Sequence, residues 1–289
     1  MLSSDVIKRI KQVEITTRRL LSGTFVGDYS SAKKGAGFEF DQIRDYQLGD
    51  DVRFIDWKAS ARSNKLLIKQ YIEERNRSVI VVTDFSQSTD YSSSAKSKFD
   101  ILTEIAAVLA LVANYGKDQA ALLIFTNEVE VFIPPAKGRK HIHKIMETLF
   151  SYKPKNSGTN IDIALEQLAK LRRKDSIVFL LSDFIDQIDE KKLHIVSKIY
   201  DLVAIECLDK NETVLPSVGF IQMEDLETDQ QIVVDTRRRS IQSLNRFLRN
   251  RLYLKENICK KYGIDFLQVS PDRPFIGDII KFFKRRMMY

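Results

Sequence analysis

Two short apolar runs, each closed by an aspartate, constrain this chain more than any other feature. Ser78 to Thr83 (SVIVVT) leads into Asp84, and Ile177 to Leu181 (IVFLL) leads into Ser182 and Asp183. Continuous runs of β-branched and aliphatic residues suit strands buried on both faces, and such strands belong to parallel sheets covered by helices. The intervening segments keep that rhythm. A strongly apolar helix is expected over Phe99 to Tyr115, closed by Gly116, then strands over Ala120 to Phe125 and Val129 to Ile133. Only three residues separate those two strands, which points to an antiparallel pairing at the sheet edge. Helices over 138–151 and 160–173 follow, then a helix before the strand Leu202 to Cys207. A long helix over 239–262, a strand Ile264 to Val269 and a helix over 274–286 complete the pattern. The fold class is therefore α/β, a doubly wound, mostly parallel sheet with right-handed crossovers.

Two stretches depart from this alternation. Residues 208–238 read as an insertion, with Gly219 to Met223 and Gln231 to Val234 pairing as a hairpin around Glu224 to Asp229. Residues 1–75 read as an N-terminal α+β extension beside an α/β domain over 76–289. In it, Val6, Ile7, Ile10, Val13 and Leu20 mark an amphipathic helix stopped by Gly23, expected to dock on its own domain. Phe38 to Phe40 and Leu66 to Ile72 look like strands. Between them lie Asp50, Asp51, Arg53, Asp56, Trp57 and Arg62, dense in opposite charges and including the sole tryptophan. Ion pairs packed around a buried Trp57 would account for that density, and so would a partner surface.

Charge is unevenly distributed. From Arg237 onward there are 14 Lys plus Arg against 4 Asp plus Glu, a balance of +10, so with a net charge of +7 the preceding residues carry −3. Such a segment could draw phosphates, an anionic membrane or an acidic protein, and it could equally be a set of solvated helix faces. Two cysteines, Cys207 and Cys259, supply neither a disulfide framework nor a four-cysteine zinc site. No apolar run reaches the roughly 18 residues needed to cross a bilayer, and no signal-peptide core is visible. The sequence reads as soluble and cytoplasmic.

Ligands of an open α/β sheet bind beyond the carboxyl ends of its strands, near the point where strand order reverses. Three polar clusters are expected there: Asp84, Ser86 and Ser88 after the first buried strand, Thr159 within Ser157-Gly158-Thr159-Asn160, and Asp183 after the fourth. Two carboxylates and three hydroxyls make an all-oxygen set of low charge, suited to a hard ion such as Mg²⁺, with Mn²⁺ or Ca²⁺ as alternatives. An ion with so little ligand charge stays electrophilic and can accept a partner's Asp or Glu.

The set resembles the metal-ion-dependent adhesion site of von Willebrand factor A domains, whose Asp-x-Ser-x-Ser, Thr and Asp pattern has counterparts at each position here. The resemblance implies that Asp84, Ser86, Ser88 and Thr159 hold Mg²⁺, with Asp183 bound directly or through water. Gly35-Ala36-Gly37-Phe38-Glu39-Phe40, Arg44-Asp45-Tyr46, Gly49 to Trp57, Ser60-Ala61-Arg62, Leu215 to Gly219 and Val234-Asp235-Thr236 are similar to the signature of the family catalogued as domain of unknown function 58. Many of its members carry N-terminal membrane helices, so this chain looks like the short soluble form. Bacterial members are typically encoded beside MoxR-type AAA+ ATPases. The resemblance therefore implies a non-enzymatic adaptor or co-chaperone with such an ATPase and a client protein as partners, and no small-molecule substrate.

Other functions are weaker on the residues. A phosphohydrolase would want a second acidic or nucleophilic group beside Asp84, where this chain has serines. No Gly-x-Ser-x-Gly elbow or phosphate-binding loop occurs. His141 and His143, two apart on a helix, face different ways and read as surface groups rather than a zinc pair. Nucleic-acid binding would rest on the basic C-terminal third alone, without a recognisable motif.

Overall fold

The computed structural model describes residues 4–24, 38–63, 65–73, 77–173, 175–215, 217–224, 231–237 and 239–287. Gly35 to Gly37 and Pro216 of the signature, and most of the expected hairpin tip, lie outside the described residues. In chain order, helix α1 (Ser4–Thr24) precedes a small antiparallel pair, β1 (Phe38–Asp45) and β2 (Leu67–Glu73), which flank the short helix α2 (Trp57–Ser63). The rest runs β3 (Ser78–Asp84), α3 (Lys98–Tyr115), β4 (Gln119–Phe125), β5 (Val129–Ala136), α4 (Arg139–Ser151) and α5 (Ile161–Leu171). It continues with β6 (Ser176–Ser182), α6 (Glu190–Ile199), β7 (Asp201–Cys207), α7 (Lys210–Thr213), β8 (Phe220–Glu224) and β9 (Gln231–Asp235). Helix α8 (Arg239–Lys261), β10 (Asp265–Val269) and α9 (Ile276–Met287) close the chain.

Six strands form one sheet in the order β10-β7-β6-β3-β4-β5, all parallel except the edge strand β5. The antiparallel edge expected from the three-residue link is present. All seven residues of β3 are buried, and its side chains alternate between two cores. Val79 and Val81 pack among α1, α3, α4 and α9, whereas Ile80 and Val82 pack among α5, α6 and the end of α8. Period-two alternation with both faces apolar is what a strand between two helical layers needs. Helix α3 starts in a capping box, Ser97 with Asp100, and ends at Gly116 as expected.

The chain divides into two compact units, Met1–Tyr29 with Arg77–Tyr289, and Ser30–Asn76. This differs from the expected division at 75 and 76. Helix α1 belongs to the α/β unit because Ile10 and Val13 are buried in the cluster formed by α3 and α4, and it runs through Gly23 rather than stopping there. The 208–238 insertion is present as α7 and the antiparallel pair β8–β9.

Candidate functional site

The strand order places the reversal between β3 and β6, so the crevice lies beyond their carboxyl ends. Asp84 is the last residue of β3 and Asp183 follows the last residue of β6; both are fully buried. Asp84 Oδ1 accepts from the Ser86 amide at 2.9 Å and Oδ2 accepts from Ser182 Oγ at 2.6 Å. Ser182 Oγ in turn accepts from the Phe184 amide at 2.9 Å, which directs its proton to Asp84. Burial first, and then the Asp183 carboxylate, push the Asp84 carboxyl up to about 7.

The loop after β3 folds into a 3-10 turn, Gln87–Asp90, fixed by Thr89, whose amide and hydroxyl both donate to the Ser86 carbonyl. This turn brings Ser86 Oγ and Ser88 Oγ to 3.0 Å. The Gln87 amide donates to the Ser157 carbonyl at 2.9 Å, and the Asn160 amide donates to the Thr126 carbonyl at 3.0 Å. The segment bearing Thr159 is thereby tied to the loop bearing Ser86 and Ser88. Among the described residues no group of three or more His, Cys, Asp or Glu is arranged to hold a metal, so an ion here would depend on hydroxyl donors.

Sequence reasoning missed two lysines that reach into the site, one buried and one half-buried. Lys98 is fully buried and its Nζ donates to Asp183 Oδ2 at 2.8 Å and Glu212 Oε1 at 2.6 Å. Burial alone would lower Lys98, but Asp183 and Glu212 outweigh it and hold the ammonium above its usual range. Lys255 of α8 donates to Glu206 Oε1 at 2.5 Å and to the Asp183 carbonyl at 3.3 Å, while Gln268 donates to Glu206 Oε2 at 2.7 Å. Burial pulls Lys255 down despite Glu206. The available signal was Lys98 at the head of a strongly apolar helix, where a charge must find a buried partner. Asp209 anchors the insertion beside the site, accepting from the Ser93 amide at 2.7 Å and from the Asn211 amide at 2.9 Å.

The charged cluster of the small unit consists of local pairs. Arg44 makes a two-pronged contact with Asp50 at 2.7 and 2.8 Å, and Arg53 pairs with Asp51 at 2.6 Å. The Arg53 guanidinium, and then the Arg53 amide, push Asp51 down to about 2. Asp56 caps α2 through the Lys58 and Ala59 amides and lies 3.3 Å from Lys69 Nζ. Arg62 is exposed. Of the two readings left open for this cluster, packing around a buried Trp57 is not what the structure has: Trp57 is 67% exposed and opens a helix whose buried residue is Ser60.

Cys207 and Cys259 are buried, with both thiols pushed up by desolvation. His141 is half-buried rather than a free surface group, and its Nε2 lies 2.7 Å from the Ala120 carbonyl.

The chain is an α/β protein with a six-stranded, mostly parallel sheet between helical layers, and von Willebrand factor A domains are among the solved structures similar to it. The von Willebrand factor type A structure from Catenulispora acidiphila is 15% identical, with a TM-score of 0.37 over 49% of this chain and 35% of that one. The model of the family "Protein of unknown function DUF58" matches residues 42–250, and the chain belongs to that family. The uncharacterised protein Rv1480 of Mycobacterium tuberculosis is 26% identical over 96% of this chain and 88% of its own length. An aerotolerance-related membrane protein from Bacteroides fragilis is 14% identical with a TM-score of 0.47, over 74% of this chain and 98% of that one.

The cytoplasmic location expected from the sequence is corrected by these neighbours, which include proteins named for membranes. Among the described residues no helix is long and apolar enough to cross a membrane, and that fact assigns no compartment.

Proposed function

We propose that this chain is a non-enzymatic, Mg²⁺-dependent protein-binding adaptor or co-chaperone that works with a MoxR-type AAA+ ATPase in maturing a client protein. Asp84, Ser86, Ser88 and Thr159 would hold the ion, with Asp183 completing the set. The observation that carries this reading is Asp84, a fully buried carboxylate met by an amide and a hydroxyl but, among the described residues, by no cationic side chain. An uncompensated buried charge is costly, and a bound cation relieves that cost.

The donor chemistry supports the same reading. Ser86 Oγ and Ser88 Oγ stand 3.0 Å apart, close to the spacing of about 3 Å between neighbouring ligands of an octahedral ion with bonds of about 2.1 Å. When bound, Mg²⁺ supplies an electrophilic position for a partner's carboxylate. The chain's own residues shape that position: Ser182 orients Asp84, Thr89 holds the turn carrying both serines, and Lys98 fixes Asp183. The ATPase partner is inferred from the family, since the chain shows no phosphate-binding loop of its own.

The test is capture with three baits checked for folding: wild type with Mg²⁺, wild type with EDTA, and Asp84→Ala. An ATPase of this type retained by the Mg²⁺-loaded wild type and lost in the other two supports the reading. Identical partners in all three arms overturn it.

A further inference from the structure

Lys98 joins the candidate ion site to the insertion. Its ammonium, fully excluded from solvent, lies 2.8 Å from Asp183 Oδ2 and 2.6 Å from Glu212 Oε1. Asp183 Oδ1 faces the Ile185 amide at 3.3 Å, longer than a typical bond of this kind, which leaves that oxygen available to a cation. Glu212 stands on α7, which buries none of its four residues and is held by polar contacts. Glu212 Oε2 accepts from the Asp209 amide at 2.9 Å, and the Leu215 amide just beyond the helix donates to Asn245 Oδ1 at 2.9 Å. An element without core burial lies at the low end of local stability. Lys255 differs: its partner Glu206 is a fully buried residue of β7, inside the sheet. Of the two compensating carboxylates, Glu212 is therefore the one that can be withdrawn.

We propose that α7 regulates the ion site through Lys98: Glu212 neutralises the buried ammonium, so a cation is held well at Asp84 and Asp183 when α7 is seated and poorly when it is displaced. The inference rests on the reading of an ion at Asp84 and concerns how its affinity is set. With Glu212 withdrawn, the Lys98 ammonium is left to Asp183. It then draws that carboxylate's charge away from a cation and repels the cation across a crevice shielded from water. Both effects have the same sign. Linkage makes the coupling reciprocal: the factor by which seated α7 raises ion affinity is the factor by which a bound ion favours seated α7. A partner that unseats α7 therefore loosens the ion without touching its ligands.

The test is calorimetric titration of the full chain with magnesium chloride, using wild type, Glu212→Gln, Lys98→Met and the double variant, with circular dichroism checking the fold. Glu212→Gln should bind Mg²⁺ about tenfold more weakly than wild type. In the Lys98→Met background the same substitution should change affinity by about threefold or less. An equal loss in both backgrounds means that Glu212 acts by its own field rather than through Lys98, and overturns the proposal. Because Lys98→Met strands two carboxylates, hydrogen exchange on wild type supplies a second reading. Mg²⁺ should slow exchange of the Asp209 and Asn211 amides about tenfold, and should leave both unchanged in Asp84→Ala. Saturable Mg²⁺ binding to wild type with no response at these amides overturns the proposal and leaves the ion site standing. Absence of saturable Mg²⁺ binding to wild type overturns both.

Discussion

Lys98 Nζ lies 2.8 Å from Asp183 Oδ2, with both side chains fully excluded from solvent. A second carboxylate, Glu212 on α7, approaches the same ammonium at 2.6 Å. Removing one partner of a buried pair strands the other charge, so Lys98→Met should destabilise the chain by about 3–5 kcal/mol. Urea denaturation measures this. Adding Asp183→Asn to Lys98→Met should recover part of the loss, and full additivity would contradict the pairing.

Asp84 differs, being buried with no cationic side chain against it among the described residues. Its carboxyl is pushed up to about 7 by burial and then by Asp183. A group whose pKa is raised on folding stabilises below its unfolded value of about 4, and that contribution is lost as pH rises through the folded value. In EDTA, the melting temperature of wild type should therefore fall relative to Asp84→Asn between about pH 4 and pH 7. Parallel pH profiles for the two proteins would contradict the assignment.

Asp209 works on the acid side. Burial alone would raise it, but the Asn211 and Ser93 amides and the Ser93 and Ser92 hydroxyls outweigh that and lower it. A depressed carboxylate stabilises above its unfolded value and loses that contribution as pH falls through its folded one. Asp209→Asn should cost about 1–3 kcal/mol at neutral pH, with the deficit shrinking in acid. Hydrogen exchange should quicken at Ser93 and Asn211, whose amides donate to this side chain. Protection unchanged at both amides would refute the anchoring role.

Trp57 is the sole tryptophan and is 67% exposed. Its fluorescence in native protein should be long-wavelength and readily quenched by iodide, with little further red shift in urea. A blue-shifted, protected emission would place it in a contact that the small unit does not supply.

In the core, Ile105 of α3 is fully buried among the residues that cover β3. Ile105→Ala should cost about 2–5 kcal/mol through lost burial and the cavity left behind. Calorimetry would detect this as a lowered transition, and a loss well under that range would mean that the neighbouring side chains collapse into the space.

Much of the architecture was legible because its signals are local. The runs before Asp84 and Ser182 announce strands through β-branched, uninterrupted apolarity, and the three residues between β4 and β5 permit little except an antiparallel turn. The placement of α1 was not legible as part of the α/β unit. An amphipathic helix declares that it has an apolar face, but not which face will cover it, and Ile10 and Val13 find α3 and α4 about a hundred residues away. Trp57 was undecided in the sequence for a related reason: a large aromatic among ion pairs suits a core anchor or an exposed surface, and burial depends on whether another element lies over it.

The alternation of strand and helix, and with it the position of Asp84 and Asp183 at strand ends, was written in the chain, because side-chain period follows from local pattern; that the two strands are neighbours came from the fold. Tertiary structure alone decided how those carboxylates are compensated. Lys98 reaches Asp183 from 85 residues away and Lys255 reaches Glu206 from 49, whereas Asp84 accepts from the Ser182 hydroxyl and the Ser86 amide. Charge compensation in a buried crevice depends on which distant side chains the packing brings within 3 Å, and no local pattern in the chain encodes that.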